Sequence, residues 1–315
     1  MLTALPSTRH SRAGSFLDRM ARSSRQRVRE ARAKQSEGAL LQRALSTPPP
    51  PPLNLSEFDV IAELKLRSPA AGELTDERFD RAAQIGAYAA GGASAVSVLT
   101  EPQQFKGSLE DLDDAAASLM SHGVPTMRKD FLTDPYQVLE ARAAGASGVL
   151  IIVTMLDDSL VTTLLEAATE CGLFVLLEAF DERDLERIST FGITPRDTFP
   201  VLCGVNCRDL ASLKVDFDRF RKLATYLPRD LPAVAESGIS RPADVAAVAR
   251  LNYRAALVGS ALMRSPDPAA QLVSMKQAGE KAGRGIPRMT RRISTKNLFL
   301  INESDFLYLS AEHWI

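Results

Sequence analysis

The strongest constraint on this chain is an alternation running from residue 58 to about residue 283. Eight apolar runs of strand length recur: "FDVIAELKL" (58–66), "ASAVSVLT" (93–100), "GVPTMRK" (123–129), "SGVLIIVT" (147–154), "LFVLLEAF" (173–180), "VLCGVN" (201–206), "LPAVAES" (231–237) and "RAALVGS" (254–260). Between them lie stretches of helical period, such as "DERFDRAAQIGAYAAGG", "DPYQVLEARAAGA", "DDSLVTTLLEAATECG" and "RPADVAAVARLN". Several close in or near glycine, as helix C-termini do. Eight strand–helix units over about 220 residues match the count and size of a (β/α)8 barrel. A doubly wound open sheet needs fewer strands and a glycine-rich first turn, and no G-x-G-x-x-G follows the first run. The expected fold is therefore α/β, a (β/α)8 TIM barrel.

The flanks divide the rest. Residues 1–56 form an N-terminal extension rich in Arg and Ser, ending in the connector "STPPPPPLNLS" (46–56). A proline run excludes helix and central strand, so this connector is read as stiff and extended; a proline-motif ligand for a partner is the alternative. Upstream, Phe16, Met20, Val28 and Ala31 form a sparse apolar stripe, read as one extra solvated amphipathic helix. A transit peptide is the competing reading, disfavoured by the acids Asp18 and Glu30. Residues 57–283 are the expected catalytic barrel. Residues 284–315 form a C-terminal extension that runs from a basic patch to an apolar end with Trp314, not needed to close a barrel and read as packing over it or contacting a subunit.

Charge and cysteine usage exclude several functions. A net charge of −1 gives no global field toward nucleic acid or an anionic membrane. No run reaches the ~18 apolar residues of a membrane span. Three cysteines, at 171, 203 and 207, argue against a secreted disulfide framework and for a reducing, cytoplasmic setting. The histidines, at 10, 122 and 313, are too scattered for zinc spacing, so no metal site is expected.

Chemistry is expected at the C-terminal ends of barrel strands. Residues two apart on a strand share a face. The first run presents Ile61, Glu63 and Lys65; the third Pro125, Met127 and Lys129; the fifth Phe174, Leu176 and Glu178; the sixth Leu202, Gly204 and Asn206; the seventh Val234 and Glu236. Each turns from apolar to polar at its end. One such strand is ordinary turn chemistry, whereas five converging on one mouth make a site. Structural ion pairs, Glu63–Lys65 or Glu178–Lys129, are the plain alternative, but burying such charges without function is costly. "ESG" (236–238) and "VGSALM" (258–263) add glycine and serine at the ends of the last two strands, where barrels of this kind hold phosphate on backbone N–H groups. A small phosphorylated ligand follows from that.

The motifs "IAELKLRSP" (61–69), "SVLTEPQQFKGSLEDL" (97–112), "RKDFLTDPYQVLEARAAGA" (128–146), "GVNCRDL" (204–210), "AESGIS" (235–240) and "LVGSALMR" (257–264), in that order, resemble indole-3-glycerol phosphate synthases over about residues 55–275. The resemblance implies a cofactor-free carboxy-lyase. It implies that Lys129 is a general acid, Glu178 its partner in dehydration, Lys65 a carboxylate contact or second acid, and Glu63 the group that orients the lysines. Asn206, Arg208 and Glu236 would form a polar wall, with Ser68 in the loop after the first strand. Ser237, Gly238, Gly259 and Ser260 would cradle phosphate, and Phe105, Phe131, Leu150 and Leu210 would hold the aromatic ring, although aliphatic strand ends are commonly plain core. Two departures stand out. Ala70-Ala71 replaces a commoner Ser-Lys or Ser, and Cys207 stands where Asn or Ser is common. A diverged paralogue in specialised indole metabolism, a Schiff-base aldolase, and a non-catalytic barrel with an Arg-rich arm are the alternatives. A monomer or loose homodimer is expected, without nucleic acid or membrane.

Overall fold

The structure, a computed structural model, describes residues 16–69, 72–76, 78–193, 200–209 and 214–284. Eight parallel strands close into a barrel: β1 (Asp59–Leu64), β2 (Ala95–Leu99), β3 (Thr126–Lys129), β4 (Gly148–Ile152), β5 (Phe174–Ala179), β6 (Val201–Asn206), β7 (Ala233–Glu236) and β8 (Ala255–Val258). Each strand pairs with its sequence neighbours, and β8 returns to β1 with Asp59 opposite Ala255. The fold is the TIM barrel that the alternation predicts.

Sequence explains where the helices start. Asp80, Ser108, Asp157, Asp181 and Asp267 each accept a hydrogen bond from an N–H group in the first turn of the helix that follows, satisfying a donor the helix itself leaves unpaired. The outward faces of the strands and the inward faces of these helices bury one apolar shell that includes Val60, Val98, Val149, Leu177 and Val258. A second cluster fills the barrel itself, from Ile61, Ala95 and Met127 to Leu176, Leu202 and Leu257. This interior is packed, so any cavity must lie at one end.

Two helices precede the barrel: α1 (Phe16–Lys34) and α2 (Glu37–Ser46). Here the structure corrects the expectation of one solvated helix. Leu17, Met20, Ala21, Ser24 and Val28 of α1 are buried. Val28 packs with Leu40 of α2 and Tyr136, while Ser24 joins a buried hydrogen-bond group with Gln137 and Thr133. The stripe is thus a docking face whose apolar burial, at about 25 cal/mol per Å2, holds the helix down. The proline run has neither helix nor strand, and the transit-peptide question, most of the tail and Ala70-Ala71 fall on residues outside those described. Among the described residues no helix is long and apolar enough to cross a membrane, and no group of three or more His, Cys, Asp or Glu is placed to hold a metal.

Candidate active site

A cavity of about 400 Å3 opens at the C-terminal mouth of the barrel. Every candidate residue named from the sequence lines it, except Leu210, which lies outside the described residues. Strand alternation is the cause. Glu63, Lys129, Glu178, Asn206 and Glu236 occupy inward positions at the last turn of their strands.

Lys129 sits between two carboxylates. Its Nζ lies 3.1 Å from Glu178 Oε2 and 2.8 Å from Glu236 Oε2. Burial alone would lower its pKa, but the charges of Glu236, Glu178 and Glu63 outweigh this and hold it above the ordinary lysine value. Burial pushes Glu236 up to about 8; Lys129 opposes the rise and Glu178 adds to it. Alongside, Lys65 pairs with Glu63. Burial would raise Glu63, yet Lys65 and Lys129 outweigh it and leave its pKa lowered. Both ion pairs considered from sequence do form, but Glu178–Lys129 is part of a three-member cluster because Glu236 joins it. One carboxyl is driven toward its neutral form and another toward its charged form, the division acid–base chemistry uses.

One rim of the cavity is formed by Ser237, Gly238, Gly259 and Ser260. Ser237 and Gly238 follow one another at φ +68° and +73°. Left-handed backbone is strained for serine, and such outliers gather at functional sites. Below them, the buried Cys207 thiol donates a 3.3 Å hydrogen bond to the Ser237 carbonyl. Burial pushes this thiol up to about 12, so it stays neutral and acts as a brace. Gly259, on the adjoining strand end, lies against Glu63 and Lys65: a side chain there would stand 2.8 Å from Lys65 Nζ. Ser260 opens the short helix Ser260–Met263, whose first N–H groups have no helical partner.

The opposite wall is aromatic and apolar. Phe131 meets Phe105 with ring centroids 6.3 Å apart, and Leu150 lies near its base. Sequence reading missed the other half of this wall. Phe16 and Leu17 of α1 reach the cavity, with Phe16 edge-on to Phe131 at 5.8 Å. Its signal was present in the apolar stripe, which begins at Phe16. Also missed was the clamp that holds α1 here. Arg27 donates two hydrogen bonds to Asp130, at 2.8 and 2.7 Å, and Asp130 also accepts from Thr100 and the Phe131 N–H. Burial opposes ionisation of Asp130, but Arg27 and Arg128 hold its pKa well below the usual carboxylate range. Arg264, another lining residue, was passed over because a single arginine beyond a strand carries no pattern.

Fold and site together define a (β/α)8-barrel enzyme with a lysine–glutamate centre at its C-terminal mouth. The profile of the family described as "Indole-3-glycerol phosphate synthase" matches residues 17–275. A protein of that name from Nocardioides sp. is 46% identical over 220 residues, covering 70% of this chain and 80% of its own length. One from Mycobacterium leprae is 41% identical over 220 residues, covering 70% and 77%. The fold alone is shared with 3-hexulose-6-phosphate synthase from Salmonella typhimurium, at TM-score 0.55 and 14% identity, over 71% of this chain and 100% of that one. The chain belongs to the indole-3-glycerol phosphate synthase family.

Proposed function

We propose that the protein closes the indole ring of indole-3-glycerol phosphate from 1-(2-carboxyphenylamino)-1-deoxyribulose 5-phosphate, releasing CO2 and water. The observation that carries this is the seat of Lys129 between Glu178 and Glu236, with an aromatic wall on one side and a Ser-Gly rim on the other. The substrate has matching ends, a benzoate ring and a phosphate, with the ketone between them.

The residues divide the chemistry as follows. Lys129 gives its Nζ proton to the ketone oxygen while the carboxylated ring carbon forms the new C–C bond. The bond to the carboxylate then breaks, CO2 leaves and the ring recovers its aromatic electrons. Lys65, the second acid, then protonates the new hydroxyl, which departs as water while Glu178 accepts the proton lost from the neighbouring carbon. Lys65 meets the substrate carboxylate and Glu63 fixes Lys65. Asn206, Arg208 and Glu236 orient the hydroxyl and anilino groups, while Ser237, Gly238, Gly259 and Ser260 hold phosphate. An aldolase would need Lys129 as a neutral amine nucleophile, which its raised pKa disfavours. Buried neutral thiols at Cys203 and Cys207 suit a cytoplasmic enzyme, and a monomer or loose homodimer is the assembly proposed. Incubating the purified protein with the anilino-deoxyribulose phosphate should give indole fluorescence that grows with time. No product at saturating substrate would overturn the assignment.

A further inference from the structure

The inward position between the two carboxylates of the Lys129 cluster belongs to a residue with no side chain. Gly204 on β6 is level with Glu178 on β5 and with Val234 on β7, two residues before Glu236. Glu236 therefore leans back across Gly204 to reach Lys129. A methyl group on Gly204 would run into Glu236 Oε1 and stand 3.1 Å from Leu176 Cδ1. That same Oε1 is buried and has no hydrogen-bond partner among the described residues, while Oε2 accepts the 2.8 Å bond from Lys129. The space at Gly204 is occupied by a carboxyl oxygen of the site.

We propose that Gly204 is a positioning residue whose missing side chain is the socket that lets the Glu236 carboxyl fold in beside Glu178, so that both meet Lys129. This rests on Lys129 being the acid of the proposed reaction. Few charges face the pair. Lys129 comes from β3 and Glu178 from β5; the Cys203 thiol on β6, pushed up to about 12 by burial, is neutral; Glu63 on β1 acts through Lys129. Two carboxyl groups drawn together out of water do not both ionise readily. Burial and Glu178 act on Glu236 in that direction. The consequence is catalytic. With Glu236 neutral, Lys129 faces one fewer negative charge and holds less tightly the proton it must deliver to the ketone oxygen.

The test compares wild type, Gly204→Ala, Glu236→Asp and the double variant by kcat, KM, pH profile and thermal melting. Gly204→Ala should fold, because the atom that must move most is the end of a flexible side chain. Its kcat should fall about 10²-fold, the cost of misplacing a reacting group by roughly 1 Å, with KM changed less than about threefold. The alkaline limb of its kcat profile should move to lower pH, since the displaced carboxyl is less desolvated. In the Glu236→Asp background the shorter carboxyl stops short of residue 204, and the alanine should cost less than about threefold. A readout independent of turnover is the infrared carbonyl band of a buried protonated carboxyl at neutral pH, present in wild type and lost in Gly204→Ala. Wild-type kcat and pH profile in Gly204→Ala, equal losses in both backgrounds, or no such band in wild type would each overturn the proposal. A wild-type enzyme that shows the band but forms no indole product would instead sink the reaction assigned to the site.

Discussion

Replacing Lys129 with methionine removes the ammonium and keeps an unbranched apolar side chain of similar reach. The contacts set the size of the effect. A positioned acid is worth about 10²–10⁴ in turnover, or roughly 2.7–5.5 kcal/mol at 1.36 kcal/mol per tenfold. Losing one member of a buried charged cluster costs about 3–5 kcal/mol of stability when the others stay charged. Here two carboxyls are left, at 3.1 and 2.8 Å from where Nζ stood, and Glu236 is already poised to take up a proton. The stability loss should therefore depend on pH. A carboxyl whose folded pKa lies above its unfolded value binds more protons when folded, so stability rises as pH falls through the folded value. Lys129→Met should melt well below wild type at about pH 8, and the gap should narrow toward about pH 5. Indole fluorescence at saturating substrate measures turnover, and differential scanning calorimetry across that range measures the gap. Turnover within about tenfold of wild type would remove Lys129 as the acid. A gap that does not narrow would mean that the two carboxyls do not confront each other.

Ser237→Asp sets a carboxylate into the anion rim beside Glu236, and KM should rise about 10–100-fold while inorganic phosphate stops competing; equal inhibition by phosphate in both proteins would misplace the anion site. Arg27→Met should cost about 1–3 kcal/mol by releasing α1. Because Asp130 has a lowered folded pKa, that stability is present above its unfolded value near about 3.9 and is lost as pH falls below it, so urea melts should show the gap closing in acid, and a constant gap would refute the clamp. Glu236→Gln should lose roughly 1–3 kcal/mol of transition-state stabilisation in kcat/KM. A raised folded pKa makes ionisation of Glu236 costly to the fold above its unfolded value, so the glutamine variant should gain on wild type in melting temperature between about pH 4 and 8; a relative loss over that range would contradict the pKa direction.

The barrel was legible because its signal is repeated. Each strand is a short apolar run, and the helices between them are periodic stretches of which several open on a polar cap, so an error in one unit leaves seven others to carry the topology. Site residues on strands were legible for a related reason. Period-two alternation fixes which side chains point inward, and the polarity change at the C-terminal end marks where the packed interior stops. Lys129, Glu178 and Glu236 could be placed at one mouth without knowing a distance. Register between strands, which decides whether Glu236 reaches Lys129, depends on how strands pair and is not written within any one run.

What escaped the sequence acts across the chain or by absence. The ends of the Arg27–Asp130 clamp lie 103 positions apart in the chain, and nothing near Arg27 distinguishes it from the other arginines of α1. Reading α1 as solvated followed from the sparseness of its apolar stripe. A stripe of Leu17, Met20 and Val28 is narrow on a helix this basic, and only the Tyr136 and Phe131 surfaces opposite reveal that it is enough to dock. Gly204 is the clearest instance. In "VLCGVN" a glycine reads as a weak point in a strand, where backbone entropy is lost for no packing. In the closed barrel the same position sets how closely two carboxyls approach one lysine. A residue that works by leaving room has no chemical signature of its own, so its role can be read only from the atom that fills the room.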